Sequence, residues 1–203
     1  MNDILIFGNG IHACEMVEIL ERWDKNHEYR LIGFVAKEPD ERGLMGYPVF
    51  GLDDLDKDGL RYAALVPDNT FDLEVKQKYR GRMITVIDPS CFVSRSARIG
   101  PGTVLYPGCY VGQNAVIGEF VFCLAGCIIN HDDVIEEGCI LASGVRIAGN
   151  VRVERKAYLG QACTIRQFLT IGEQSLIGTG AVVVKDVRPN TIVVGNPARE
   201  LVK

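Results

Sequence analysis

An aliphatic residue returns at every sixth position from Ile87 to Val183, and no other feature constrains the fold of this chain as much. The series runs Ile87, Val93, Ile99, Leu105, Val111, Ile117, Cys123, Ile129, Ile135, Leu141, Ile147, Val153, Leu159, Ile165, Ile171, Ile177 and Val183, and only Cys123 departs from Ile, Leu or Val. Four residues after each, small residues prevail, among them Cys91, Ala97, Thr103, Cys109, Ala115 and Cys127. A helix repeats at 3.6 residues and a strand at two, so neither alone sustains a period of six. A hexapeptide repeat does, because each hexad supplies one short strand and one corner of a parallel β-helix. The aliphatic residue fills the interior, and the small one is expected where the corner leaves least room. Three hexads close one triangular coil, so this stretch makes between five and six coils. Stacked at the inter-strand spacing of about 4.8 Å, they form a prism about 25 Å long.

The composition excludes several function classes. The 203 residues are 47% hydrophobic and 24% charged, with a formal net charge of −4. Mild acidity gives no electrostatic case for nucleic acid or an anionic membrane. No apolar run approaches the ~20 residues a membrane span needs. The N-terminus enters an apolar strand at Ile4 without a basic segment, so a signal peptide is not expected. Six of the seven cysteines fall in register: Cys91, Cys109, Cys127, Cys139 and Cys163 take the small slot, and Cys123 an interior one. The odd total and this register indicate reduced thiols packed as small hydrophobes, in a cytoplasmic setting. With three histidines and no CxxC pair, no metal site is expected.

Before Ile87 the period changes. Ile4–Phe7, Arg30–Val35, Tyr62–Val66 and Met83–Val86 read as strands, with a turn and short strand over Met45–Phe50. Ala13–Trp23 and Phe71–Tyr79 read as helices. This alternation predicts a small parallel sheet over residues 1–86. The turn Gly8-Asn9-Gly10-Ile11-His12 either seats a phosphate at the helix N-terminus or serves tight packing. It is only a fragment of the dinucleotide fingerprint. Ala36 and Lys37 stand where that fingerprint wants an acid, which argues against a dehydrogenase.

The repeat is least regular between Cys123 and Val134. Asn130-His131-Asp132-Asp133 holds the only histidine of the repeat, and Asp133 occupies a slot that is elsewhere small or apolar. An imidazole titrates near neutrality and serves as a general base, and an adjacent carboxylate holds its tautomer. A solvated corner carrying turn-favouring residues is the other reading of the same segment.

The pairing of a short α/β domain opening on Phe7-Gly-Asn-Gly-Ile-His-Ala13 with hexapeptide coils resembles one family. So do Ile129-Asn-His-Asp-Asp133, Gly180-Ala-Val-Val-Val-Lys-Asp-Val187 and Val194-Gly-Asn-Pro-Ala-Arg199. These are the bacterial hexapeptide-repeat sugar acyltransferases, of the sialic-acid O-acetyltransferase and nucleotide-amino-sugar N-acetyltransferase type. The resemblance covers essentially the full length. It implies a Rossmann-like nucleotide-sugar-binding domain over 1–86. It also implies a left-handed parallel β-helix acyltransferase domain over 87–203, ending in a coenzyme A-binding tail. By the same resemblance His131 is the general base and Asp132 the neighbour that raises its basicity. Gly10, Ile11 and His12 touch the nucleotide sugar, and the Gly149 backbone lies against the acyl donor. Gly178, Thr179, Gly180, Asn196 and Arg199 lie near acetyl-CoA, in a cleft between the prisms of a homotrimer.

The chain departs from the family pattern mostly on the acceptor side. Ile140 stands where many relatives carry a second histidine, and Leu124 where they often carry Asn. Ala36-Lys37 replaces a pair of aspartates, Pro67 the glycine before Asp68-Asn69, and Ile11 a glycine. The resemblance therefore implies acetyl transfer from acetyl-CoA, first to the amine of a nucleotide-linked amino sugar. The alternative is O- or N-acylation of a sialic-acid-like or other acceptor. A non-catalytic assembly protein that keeps the trimeric prism is the reading from another class.

Overall fold

The computed structural model describes residues 1–57, 59–69 and 71–201, and the chain divides into two compact units, Met1–Val86 and Ile87–Lys203.

The first unit holds strands β1 (Asn2–Phe7), β2 (Tyr29–Ala36), β3 (Asp40–Leu44), β4 (Tyr47–Gly51) and β5 (Ala64–Pro67), with helices α1 (Ile11–Trp23) and α2 (Leu73–Lys78). They form one sheet in the order β3-β4-β2-β1-β5, parallel except for β3. Strand β1, paired on both sides, is apolar from Ile4 to Phe7, and these four residues are at most 1% exposed, as a strand covered on both faces requires. α1 turns Ala13, Met16, Val17, Ile19 and Leu20 inward at helical spacing. Phe7 closes the core against Phe71, with ring centroids 4.3 Å apart, and against Tyr79 at 5.6 Å.

The sequence predicts the parallel strands but not β3. Its Asp40-Glu41-Arg42 start carries no apolar period, and it forms through the turn that follows. Met45 and Gly46 both have positive φ (50° and 81°), the geometry that folds a two-residue hairpin back onto β4. The expected final strand at Met83–Val86 shrinks to one bridge, Leu65 with Met83, because a 3₁₀ turn at Arg80–Arg82 precedes it.

The second unit is the parallel β-solenoid that the period of six predicts. Two-residue strands pair in register with strands 18 residues on, as Tyr110–Val111 does with Ile128–Ile129, so three hexads make one coil. A first face stacks strands from Phe92–Val93 to Val182–Val183, and a second from Arg98–Ile99 to Thr170–Ile171. A third runs from Val86–Ile87 to Ile192–Val194. The sixfold series from Leu105 to Val183 is at most 2% exposed, Cys123 included, which makes that thiol a core filler. The corner slots are less strict than expected: Val121, Val145, Val151 and Leu169 are also buried there, so several corners accept branched side chains. Cys91, Cys109, Cys127 and Cys163 line one corner column, and all seven cysteines are free. The last strand, Arg199–Glu200, turns back antiparallel on Val193–Val194 and covers the open end of the third sheet.

Candidate functional site

The site forms where the chain leaves the first face after Ile129. Asp132 takes a left-handed φ of +60°, a conformation Asp tolerates, and this turns the corner. His131 stands outward with its side chain 60% exposed, so the solenoid neither buries nor packs it. Its Nδ1 lies 2.8 Å from Asp132 Oδ2. A carboxylate can only accept, so this contact puts the ring proton on Nδ1 and leaves Nε2 with a free lone pair. Asp132 Oδ1 in turn accepts from Asn114 Nδ2 at 3.0 Å. The His131 contact first, and the Asn114 amide second, hold the Asp132 carboxyl below its ordinary range.

Coil stacking explains the seat of the imidazole. The residues in register with His131 one coil either side are Gln113 and Gly149. A Cβ on Gly149 would lie 2.6 Å from both His131 Cε1 and Nε2, so the ring lies over the one position in its column without a side chain. The family resemblance implies that the Gly149 backbone lies against the acyl donor; the structure puts the same residue under the His131 ring.

Asp133 points inward and is fully buried. Its Oδ2 accepts the Asn130 N–H and its Oδ1 the Val151 N–H, both at 2.8 Å. Burial pushes its carboxyl up to about 7, against the pull of those two N–H donors. Asn114 is absent from the sequence reading and Asn130 appears there without a role, because neither disturbs the aliphatic period. The 18-residue coil would have revealed Asn114, which lies one coil before Asp132.

The structure gathers His131, Asp132 and Gly149 at one corner and the C-terminal residues at another. Gly178, Thr179 and Gly180 form the corner that leads into the first face at Val183. The Gly178 N–H bonds the Val193 carbonyl at 2.8 Å, and a Cβ on Gly178 would strike Val194 Cγ1 at 2.7 Å. Gly180 needs its φ of +66°. Asn196 and Arg199 are exposed beside them on the returning C-terminal segment. The two corners are opposite edges of the same face, three coils apart along the axis, about 14 Å at the strand spacing.

Gly10, Ile11 and His12 lie in the first unit, at the start of α1. No side chain caps this helix and its first turn carries no acid, as a seat for an anion requires. Ile11 is 70% exposed, and His12 Nδ1 lies 3.0 Å from Glu15 Oε2. The packing alternative holds one step earlier: a Cβ on Gly8 would lie 2.0 Å from the buried Asp68 carboxylate. Among the described residues no His, Cys, Asp or Glu cluster suits a metal ion, and no helix is long and apolar enough to cross a membrane.

The family described as bacterial transferase hexapeptide (six repeats) matches residues 90–125. An acyl-[acyl-carrier-protein]–UDP-N-acetylglucosamine O-acyltransferase of Agrobacterium fabrum is 43% identical over 58 residues, 29% of this chain. The aligned segment spans 21% of that enzyme and at most 30% of seven similar curated relatives. Likeness to solved structures runs over the whole chain. A histidine-to-asparagine variant of perosamine N-acetyltransferase from Caulobacter crescentus, in complex with CoA and GDP-perosamine, superposes with a TM-score of 0.89 at 27% identity. It covers 100% of this chain and 98% of that one. The acetyltransferase domain of PglB from Neisseria gonorrhoeae shares the fold, with a TM-score of 0.86, 24% identity, and 99% and 100% coverage. The repeat and this full-length likeness make the chain similar to bacterial hexapeptide-repeat sugar acyltransferases.

Proposed function

We propose that the protein transfers the acetyl group of acetyl-CoA to the amine of a nucleotide-linked amino sugar, with His131 as general base. The observation that carries this reading is the outward imidazole with Asp132 on Nδ1 and an unhindered Nε2 above Gly149. The acceptor nitrogen attacks the thioester carbonyl, its proton passes to Nε2, the new C–N bond forms and the C–S bond breaks. The thiolate leaves as the coenzyme and recovers the proton from the imidazolium, which Asp132 stabilises in the interval. No acyl-enzyme is required, because the two substrates meet in one site. Gly178, Thr179, Gly180, Asn196 and Arg199 serve the coenzyme in this reading, and Gly10, Ile11 and His12 the nucleotide sugar. The working unit is a cytoplasmic homotrimer, whose clefts join the His131 corner of one prism to its neighbour.

A second reading, acylation of a sialic-acid-like or other non-nucleotide acceptor, is favoured by one observation. Ala36, at the end of β2, is a buried methyl where the family carries an acid. Thiol release from acetyl-CoA across a panel of nucleotide amino sugars and free sugars separates the two. His131→Ala should lower turnover by at least about 10²-fold while leaving the unfolding transition intact, since the ring is exposed. Turnover within a few-fold of wild type would remove His131 from the chemistry.

A further inference from the structure

The corner that carries His131 is wired unlike its neighbours along the same edge. Where the chain leaves the first face, the N–H of the first corner residue bonds an interior carbonyl one coil on. Ser94 reaches Val111, Gly112 reaches Ile129, Ala148 reaches Ile165 and Arg166 reaches Val183, at 2.8–3.0 Å. Asn130 breaks this ladder. Its N–H turns to Asp133 Oδ2, and its side-chain amide takes the Ile147 carbonyl instead, at 2.7 Å. The second Asp133 oxygen takes the Val151 N–H.

The same corner slot elsewhere holds Ala97, Ala115, Val151 and Leu169, so an apolar residue fits there without the cost of burying a carboxylate. A departure of this kind, at one coil only, marks a position under functional demand. The two peptides that Asp133 grips bracket the imidazole. Asn130 immediately precedes His131, and Val151 closes the Gly149-Asn150 segment on which the ring lies. The Asn150 N–H completes the bracket on the His131 carbonyl at 3.1 Å.

We propose that Asp133, with Asn130, is a positioning residue: it sets the spacing between two coils at which the His131 ring rests on Gly149 and meets Asp132. This rests on the general-base reading of His131, but its test does not. Asp133→Asn keeps the size and forces an amide NH₂ against one of two N–H donors, whereas Asp133→Val matches the apolar column. In the full chain, both should lower kcat by about ten- to a hundredfold, the scale of an ångström-level misplacement. The KM for acetyl-CoA should stay within about twofold. In ¹³C-edited spectra of the three imidazoles, the His131 ring signals should shift, because the ring loses its fixed place over Gly149 and against Asp132. Asn130→Ala supplies the same test should the Asp133 variants fail to fold. Folded variants with wild-type kcat and unmoved His131 ring signals would overturn the proposal. So would a loss confined to KM. If His131→Ala stays active, the general-base reading falls, and the imidazole spectra still decide whether Asp133 positions the ring.

Discussion

Gly149→Ala is the most exacting perturbation of the site, because it adds one methyl group directly against the proposed base. The new Cβ would sit 2.6 Å from His131 Cε1 and Nε2 and 3.0 Å from Cδ2. Carbon contacts are comfortable at about 3.5–4.0 Å, so the ring must withdraw by about 1 Å. That displacement strains the 2.8 Å Nδ1 contact to Asp132 and moves Nε2 off the line to the acceptor. A shift of this size costs up to about a hundredfold in rate, and a general base supplies about 10²–10⁴-fold in all. We therefore expect kcat to fall about ten- to a hundredfold, equivalent to about 1.4–2.7 kcal/mol of transition-state stabilisation. Stability should change by no more than about 1 kcal/mol, since Gly149 does not occupy the left-handed region. The assay is steady-state thiol release from acetyl-CoA with a saturating amino-sugar acceptor, on wild type, each single variant and Gly149→Ala/His131→Ala. In the His131→Ala background there is no ring to displace, so the second substitution should add less than about twofold. An unchanged kcat refutes the reasoning. An equal loss with and without the imidazole does so as well, and assigns Gly149 to the acyl donor alone.

Further outcomes follow from the same geometry. Gly8→Ala should lower the thermal midpoint, since its Cβ would fall 2.0 Å from the buried Asp68 carboxylate, an overpacking worth about 1–3 kcal/mol. The native chain should resist iodoacetamide at pH 8 except at Cys14. Burial pushes Cys139 and Cys163 up to about 12, and a hydrogen bond with Cys127 together with burial does the same for Cys109. Mass mapping before and after denaturation checks this, and fast native labelling of the corner column would contradict it. Asp133 shapes the pH dependence of stability with an unusual sign. Its folded value of about 7 lies above the 3.8 of the free group, so the folded chain holds the extra proton and loses stability as pH rises from about 4 to 7. Urea titrations across that window should show the decline in wild type and a flatter profile in Asp133→Val.

The period of six settled the solenoid before any coordinates, because an aliphatic interior repeating over seventeen hexads has no other compact arrangement. It also made His131 visible, as the lone imidazole of the repeat, and Asp133 as a carboxylate out of pattern. The glycine turn and the alternation of apolar runs were enough for the parallel strands of the first unit. Strand β3 was not legible, since its polar residues pair only because two positive-φ residues fold the hairpin. What tertiary structure alone decided is which residues the 18-residue coil lays over one another: Asn114 on Asp132, Gly149 beneath the imidazole, Asp133 between Asn130 and Val151. Hydrophobic burial is periodic along the chain and so can be read from it. Hydrogen bonds between coils join residues far apart in sequence, and only the closed solenoid fixes their distances.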